Sequence, residues 1–430
     1  MVQLFLLLIG APVIRRRWWI VGTLGLLWLL LGALFFADAF IEEIRITVPW
    51  FAAPLILDGV LSIVGAVISR QRRALLAAKA VAFLAVAALL ILVPRHSAFA
   101  IAMVVGTFLC ADGFWRAGSA LVVRFPGWPP SFLKGVVEIL LGLWSLSPWP
   151  SNYRAEVGSD VGLLLMVSAA GLLGLALQLR YMAPETTFAS IISNGWPRLP
   201  SARAIRKGPR RHGPRQPKPL EMRRSVIVHV WTPTGALPSL RHGLERYIAA
   251  VDEQGNISTG HSALEMPPGL YISHYPAEEI ERAPSEFTRI LRATPDNNVK
   301  GRFQPSYAEE SAGWCPSSFQ VSVPFIDAAS LRYFWTLYRR DDTYNLTNRN
   351  CSSVVVKALD AGLEGVFADA VRSPAFILRL LVTPEFWAAG MLRHRATTMA
   401  WTPGLVLDYV RALTAVLKLV SQPDRTVAAD

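Results

Sequence analysis

The chain has 430 residues, of which 52% are hydrophobic and only 17% are charged. This composition is too apolar for an ordinary soluble protein, so we expect a membrane portion beside one or two soluble domains. The formal net charge is +12, and the three cysteines (Cys110, Cys315 and Cys351) are odd in number and irregularly spaced. They predict neither a disulfide framework nor a metal site, nothing else predicts a cofactor, and a reducing compartment fits.

Long apolar segments follow one another through the first half of the chain. Most reach the roughly 20 residues that a helix needs to cross a bilayer, and hydrocarbon forces each segment to satisfy its backbone within its own helix. We therefore predict six transmembrane helices in residues 1–185, at about 18–40, 50–69, 74–94, 99–123, 132–149 and 161–182.

Basic residues set the predicted orientation of these helices. They cluster at residues 15–17, around 70–73, at 124–134 and after residue 182, whereas the alternate connections hold few of them. Because basic loops stay on the cytoplasmic side, we expect a multi-pass inner-membrane protein with both termini and the C-terminal domain in the cytoplasm.

An internal repeat divides the apolar half. "LDGVLSIVGAVISR" at 57–70 aligns with "ADGFWRAGSALVVR" at 111–124, and a weaker third copy lies at 168–180. Residues 15–183 resemble the HdeD family of six-helix bacterial membrane proteins, which is linked to acid resistance. That resemblance implies three helix pairs. Asp58, Asp112 and Glu138 could line a proton or polar-solute path, or simply bond neighbouring helices.

Residues 186–224 are predicted to form a basic linker. Its second part, residues 198–224, holds ten Lys or Arg against one acidic residue and is rich in proline. Such a segment cannot bury a core. Because it follows a membrane helix and lacks aromatic residues for base stacking, we expect it to bind anionic lipid headgroups at the bilayer, and we expect no nucleic acid.

The second half mixes strands with helices and is predicted to be α+β. Residues 225–365 form the main domain, and residues 366–430 form a helical extension. Within the extension, residues 374–392 could pack on the domain or lie on the bilayer surface. Strands are predicted at 226–231, 257–266, 270–276 and 319–325, with a Pro-Pro-Gly turn at 267–269, and helices at 327–340 and 402–420.

Cys351 lies where a polar loop, "TYNLTNRN", enters an apolar helix. Asn350 is a suitable N-cap, which would leave Cys351 in the first turn, where free N–H groups and the helix dipole stabilise a thiolate. The alternative is a small buried residue that merely packs the helix start.

Two histidines precede this cysteine on the predicted hairpin. Folding back at residues 267–269 should bring His274 beside His261, to within one register step. One imidazole could then deprotonate the thiol while the other orients the first. Alternatively, both are structural. His229 and His242 are weaker candidates for the base, Cys315 is a weaker nucleophile, and Cys110 should be packing.

The order "GHSALEM", "YISHYP" and "YNLTNRNCSS" resembles the circularly permuted papain-like proteins, which include NlpC-type peptidases and the lecithin retinol acyltransferase family. The resemblance covers residues 225–365 and implies that Cys351 is the nucleophile, His261 the base and His274 the orienter. We expect the oxyanion donors to be backbone N–H groups at the helix start, including that of Cys351 itself.

The predicted function is a membrane-tethered cysteine hydrolase of amide or isopeptide bonds, or an acyltransferase, acting on a peptide, amide or acyl-lipid substrate. The alternatives are a non-catalytic sensor or scaffold, and an acid-stress membrane protein with an accessory soluble domain.

Overall fold

The fold was obtained as a computed structural model of the 430-residue chain. Besides isolated residues and short pieces, it describes residues 2–38, 94–125, 127–148, 156–183, 186–194, 219–232, 260–278, 291–398 and 400–421. Asp58, His242 and most of the predicted second span, third span and basic linker lie outside the described residues.

The described chain combines helices with small antiparallel sheets, and the sequence of its second half predicted such a mixture of helices and strands. The helices are α1 Val2–Ile9, α2 Ala11–Arg16, α3 Trp18–Asp38, α4 Pro94–Val123, α5 Trp128–Leu146, α6 Glu156–Tyr181, α7 Phe188–Asn194, α8 Tyr307–Gly313, α9 Ala328–Tyr338, α10 Cys351–Leu363, α11 Pro374–Leu381, α12 Pro384–Thr398 and α13 Pro403–Ser421. The strands are β1 Arg224–Trp231, β2 Ala250–Val251, β3 Ile257–Ser258, β4 His261–Met266, β5 Leu270–Ile272, β6 His274–Pro276, β7 Val299–Phe303, β8 Phe319–Ile326 and β9 Thr343–Tyr344.

One of two compact units holds the long apolar helices and comprises residues 17–118 and 129–179. Among the described residues, a single continuous helix, Trp18–Ala37, is long and apolar enough to cross a bilayer. Large apolar side chains such as Leu27, Phe108 and Leu140 point outward and are more than half exposed. Such a surface is typical of helices that face lipid. The six-span topology and its orientation stay predictions.

Helices α4 and α5 of this unit touch through glycines and share one arginine. A Cβ on Gly113 would lie 2.6 Å from the carbonyl oxygen of Gly135, so the glycine of the repeated Asp-Gly pair permits close helix contact. Arg116 donates to Asp112 on its own helix at 2.9 Å and to Glu138 on α5 at 2.8 Å. The two carboxylates therefore join neighbouring helices through a common cation.

The other unit comprises residues 1–16, 119–128 and 180–430 and is built on a four-stranded antiparallel sheet in the order β5-β4-β1-β8. Alternate residues of β1 lie on opposite faces of the sheet. Val226, Val228 and Val230 are fully buried, and α13 packs on this sheet, as does α10. His229 and Trp231 lie on the opposite face, where Tyr307 of the short helix α8 stacks on His229.

A second sheet, in the order β6-β7-β9, begins where the hairpin leaves the first one. Strand β4 pairs with β5 as far as Leu264 and Ile272, and β6 then pairs with β7 instead. Residues 261–276 therefore form a ribbon that connects the two sheets. We call it the histidine ribbon, because it carries His261 and His274.

The N-terminal helices belong to this unit as well. The main-chain N–H groups of Gly365 and Phe367 donate to the carbonyls of Leu7 and Leu8 of α1, and Glu364 accepts the N–H groups of Ala11 and of two residues at the start of α7. The sequence assigned residues 2–16 to the membrane domain; the structure groups them with the sheet unit. Helices α11–α13, assigned to an extension, also pack into this unit.

Candidate active site

Helix α10 begins at Cys351, and its start has the predicted cap. The Asn350 side chain accepts a hydrogen bond from the Ser353 N–H at 2.7 Å, and the Ser353 hydroxyl accepts one from the Asn350 N–H at 2.8 Å. This reciprocal capping box contributes about 1 kcal/mol to the helix and fixes its first turn. Cys351 is 7% exposed, and its Sγ lies 3.7 Å from the Ser352 hydroxyl.

His261, at the start of β4, faces the sulfur of Cys351. The two side chains are hydrogen-bonded, and the backbone N–H of Ser262 also donates to the sulfur. The Ser262 and Ser352 hydroxyls join at 2.9 Å, which fixes the strand against the helix start. The structure therefore brings the predicted nucleophile and the predicted base together.

Glu310 of α8 holds the other side of the His261 ring. The Nε2 of His261 lies 3.1 Å from Oε1 of Glu310 and 2.9 Å from the Ser273 hydroxyl. Because Nε2 has these two oxygen partners, we assign the hydrogen bond with the sulfur of Cys351 to Nδ1. Cys351, His261 and Glu310 thus form a line of thiol, imidazole and carboxylate, the arrangement that cysteine catalysis requires.

Two tyrosines fix the Glu310 carboxylate. Tyr271 donates to Oε2 at 2.6 Å, and Tyr275 donates to Oε1 at 2.8 Å. The ring of Tyr275 also stacks on His261, with centroids 3.9 Å apart and planes 13° from parallel. Glu310 is itself buried, so both its charge and its orientation are held by these neighbours.

The electrostatics of this line favour the ionised state of each member. Burial alone would raise the pKa of Cys351, but the imidazolium charge of His261 and its hydrogen bond lower it. Burial alone would lower the pKa of His261, yet the sulfur and Glu310 raise it to about 9. The pKa of Glu310 is about 2, because its bonds from His261 and the tyrosines outweigh its burial. A thiolate–imidazolium pair next to a carboxylate is the expected ground state.

Tyr344 of β9 supplies a second group beside the sulfur. Its hydroxyl accepts the backbone N–H of Cys351 and donates to the cysteine side chain. Its pKa lies well above its ordinary value, mainly because the ring is buried and the sulfur is close, so the phenol stays protonated. The sequence predicted only backbone N–H groups as donors for an oxyanion. Tyr344 adds an O–H donor where negative charge would develop.

His274, the predicted orienter, does not contact His261 in this structure. Its Nδ1 lies 3.1 Å from the Tyr338 hydroxyl, and its Nε2 lies 3.4 Å from the Asp342 carbonyl oxygen. Burial lowers the pKa of His274 to about 4, so the ring is neutral. Glu310 occupies the position that the resemblance gave to His274.

The reason lies in the register of the histidine ribbon. Pairing of Met266 with Leu270 and of Leu264 with Ile272 extrapolates to His261 opposite Tyr275, so His274 falls one step away. One step turns a side chain to the other face. There the His274 ring packs against Phe303 and Tyr344, whereas Ser273 and Tyr275 share the face of His261.

The remaining candidates have structural surroundings. His229 bonds Ser317 at 3.2 Å and Glu265 at 3.1 Å and stacks on Tyr307. Cys315 packs against the cluster around Trp231, and Cys110 lies at the contact of α4 with α5. Within the described part of the chain, no group of three or more His, Cys, Asp or Glu side chains could hold a metal ion.

Sequence reasoning missed Glu310 and Tyr344. Glu310 lies 36 residues beyond His274 on a seven-residue helix, and nothing in the pattern of that helix singles it out from its neighbour Glu309. A signal was available for Tyr275, because a hairpin centred on Pro268 places residue 275 opposite residue 261. Comparison with protein-family models, with curated proteins and with solved structures found no match to this chain.

Proposed function

We propose that this chain is a membrane-tethered cysteine hydrolase or acyltransferase that forms a thioester on Cys351. The observation that carries the proposal is the placement of His261 between the sulfur of Cys351 and the buried carboxylate of Glu310. A merely structural cysteine at a helix start needs neither a charged histidine nor a carboxylate behind it.

The reaction follows from the protonation states. The thiolate attacks the carbonyl carbon of an amide or ester, and the carbonyl oxygen takes up negative charge. In the structure the backbone N–H of Cys351 donates to the Tyr344 hydroxyl, and that hydroxyl donates to the sulfur. Both donors would turn to the carbonyl oxygen as the sulfur gives up its charge to the new bond. His261 then passes its proton to the leaving amine or alcohol, and the C–N or C–O bond breaks to leave the thioester.

The second half of the cycle decides between the two activities. Water attacks the thioester in a hydrolase, and an amine or hydroxyl of an acceptor attacks it in an acyltransferase. In either case neutral His261 takes the proton of the attacking group, and Glu310 stabilises the imidazolium that results.

A thiol-directed probe tests the proposal. In a Cys110→Ser, Cys315→Ser background, Cys351 is the only thiol, and iodoacetamide should alkylate it at pH 6, where ordinary thiols are nearly unreactive. Labelling should vanish in Cys351→Ala and fall steeply in His261→Ala. If His261→Ala leaves the rate at pH 6 unchanged, Cys351 is an ordinary thiol and the proposal is wrong.

Turnover of a chromogenic ester distinguishes the hydrolase from the acyltransferase. Release of the alcohol followed by free acid formation identifies a hydrolase. Capture of the acyl group by an added amine or lysolipid, in preference to water, identifies a transferase. The same two Ala variants are the controls for both product measurements.

A further inference from the structure

Helices α11 and α12 form a bent pair with an exposed apolar face. The two axes meet at 64° across the break between Leu381 and Pro384. Between 44% and 63% of each of five large apolar residues on this pair is exposed to solvent. These residues, called the apolar rim below, are Leu378, Leu381, Val382, Trp387 and Met391.

The opposite face of the same helices is buried in the sheet unit. Phe376 packs on Phe367 with ring centroids 5.1 Å apart, and Phe386 is almost completely buried. Arg393 donates to both carboxylate oxygens of Asp360 of α10, at 2.7 and 2.6 Å. Detaching the pair would expose the buried rings of Phe376 and Phe386 and would leave Asp360 without its cation, so this face stays on the sheet unit.

The dimensions also exclude a crossing of the bilayer by either helix. α11 has 8 residues and α12 has 15, hence lengths of about 12 and 22 Å at 1.5 Å per residue, against a hydrocarbon core of roughly 30 Å. Helices too short to cross can lie in the plane of the bilayer surface when one face is apolar and exposed, as the face described above is.

The connection to the candidate span identifies lipid as the occupant. Helix α1 packs on α12, where Phe5 meets Phe386 edge to face with centroids 6.2 Å apart. From α1 the chain runs through α2 to Arg16, and α3, which contains the candidate span, begins two residues later at Trp18. The α11–α12 pair, which carries the apolar rim, is thus packed against α1, and the chain continues from α1 through α2 to the candidate span.

Charge at the ends of these segments agrees with a lipid surface. Exposed Arg16 and Arg17 precede the span, and exposed Arg395 follows the rim on α12. Cations beside an apolar helix face attract anionic headgroups. The indole N–H of Trp387 donates to the Leu381 carbonyl, so the exposed ring enters an apolar phase without an unsatisfied donor.

We propose that the apolar rim of α11–α12 rests in the headgroup–acyl boundary of the bilayer, so that surface docking attaches the sheet unit to the membrane in addition to its chain connection to the candidate span. This contact does not depend on the activity of Cys351. It would keep the sheet unit close to the headgroup layer.

Depth-dependent fluorescence quenching tests the docking on the full chain. All three cysteines are replaced by serine, and a single cysteine at Leu378 or Met391 carries an environment-sensitive fluorophore in phosphatidylglycerol-containing vesicles. The control is Glu309→Cys on α8, which is exposed and lies outside the rim. We expect blue-shifted emission at 378 and 391, quenched several-fold more by nitroxide on lipid chains than by a water-soluble nitroxide, and the reverse at 309.

A matched pair of substitutions keeps the test independent of label artefacts. Leu381→Glu should reduce lipid quenching at 378 at least twofold, whereas Leu337→Glu on α9, where the leucine is 42% exposed, should not. Circular dichroism and the unfolding midpoint verify that both variants fold. Quenching at 378 and 391 that resembles the control at 309 overturns the proposal. So does cross-linking of two copies through residue 391 without lipid quenching, because a second copy would then cover the rim.

Discussion

The two faces of the histidine ribbon differ in charge although each carries one buried histidine. On one face, His261 lies between a sulfur and a carboxylate, and these partners raise its pKa to about 9. On the other, His274 lies among Phe303, Tyr338 and Tyr344, and burial lowers its pKa to about 4. A histidine becomes a base because of the charges that face it, and its place in a motif does not ensure them.

The difference also assigns separate tasks to the faces. On the His261 face, the Glu310 carboxylate favours the protonated imidazole, and the imidazolium charge favours the thiolate of Cys351. The His274 face is neutral and aromatic, and its ring packs at 5.0 Å against Tyr344, whose hydroxyl meets Cys351. We infer that His274 acts on the site only by positioning Tyr344.

The largest effect should come from removing the charge behind His261. Glu310→Gln keeps the shape of the side chain but cannot stabilise the imidazolium, so kcat should fall about 10²- to 10⁴-fold. Esterase or amidase turnover at pH 7 measures it. Glu309→Gln, one residue away and exposed, is the matched control and should retain full activity. Equal activity of the two variants would remove Glu310 from the mechanism.

Tyr344→Phe should have the next largest effect. It deletes one donor to the developing oxyanion and should lower kcat by about 10²-fold with little change in KM. Tyr338→Phe removes the hydroxyl that faces His274 and serves as the comparison. A Tyr344→Phe variant that changes only KM would place the phenol in substrate binding.

The pH dependence of kcat/KM should be bell-shaped, with apparent values that belong to the Cys351–His261 pair. The acidic limb lies below the ordinary thiol value, because the pKa of Cys351 is lowered, and the basic limb lies near 9. Glu310→Gln should move the basic limb to lower pH. If the basic limb of the pH profile stays at the same pH in Glu310→Gln, Glu310 does not stabilise the imidazolium of His261.

The same shifts make folding stability depend on pH. The folded-state pKa of His261 is raised, so its contribution is complete below about 6.5 and is lost as pH rises through about 9. The pKa of Glu310 is lowered, so its contribution is present above about 4.5 and is lost as pH falls towards 2. Urea midpoints should therefore decline as pH falls towards 2, and Glu310→Gln should flatten this acidic decline. On the basic side the lowered pKa of Cys351 contributes stability over the same pH range in which the contribution of His261 is lost, so the two changes oppose each other.

The smallest catalytic effect should come from His274→Gln. We expect kcat within a few-fold of the wild type, because the ring reaches the sulfur only through Tyr344. Stability should fall by about 1–3 kcal/mol, since a buried hydrogen-bonding group loses well-placed partners. Urea unfolding beside turnover of the folded protein separates the two quantities. A loss of kcat as large as that of Glu310→Gln would restore His274 as the orienter.

Local sequence rules predicted much of the sheet unit correctly. The predicted strand 226–231 appears as β1 and 319–325 as β8. The helices predicted at 327–340 and 402–420 appear as α9 and α13, which Asp327 and Thr402 cap. The cap at Asn350 and the start of α10 at Cys351 are also confirmed. These features depend on alternation, capping and turn residues within a few positions of each other, so one sequence suffices to predict them.

Such local rules do not predict contacts between segments that are far apart in the sequence. Glu310 reaches His261 across 49 residues, and α1 joins α10 and α12 across more than 350. Nothing local distinguishes Glu310 from Glu309 or marks α1 as part of the sheet unit. Only the docking of α8 onto the outer face of the sheet determined which carboxylate meets the imidazole.

By itself the sequence determined that a cysteine begins a capped helix and that a histidine lies on a hairpin before it, because capping and strand alternation are set by neighbouring residues. Only the tertiary structure decided which neighbouring groups stabilise the protonated form of that histidine. Side-chain direction reverses at each step of a strand, and a buried ion requires a partner that only packing can supply. His274 was therefore displaced by a single register step, and Glu310 reached the site through the folding of the whole unit.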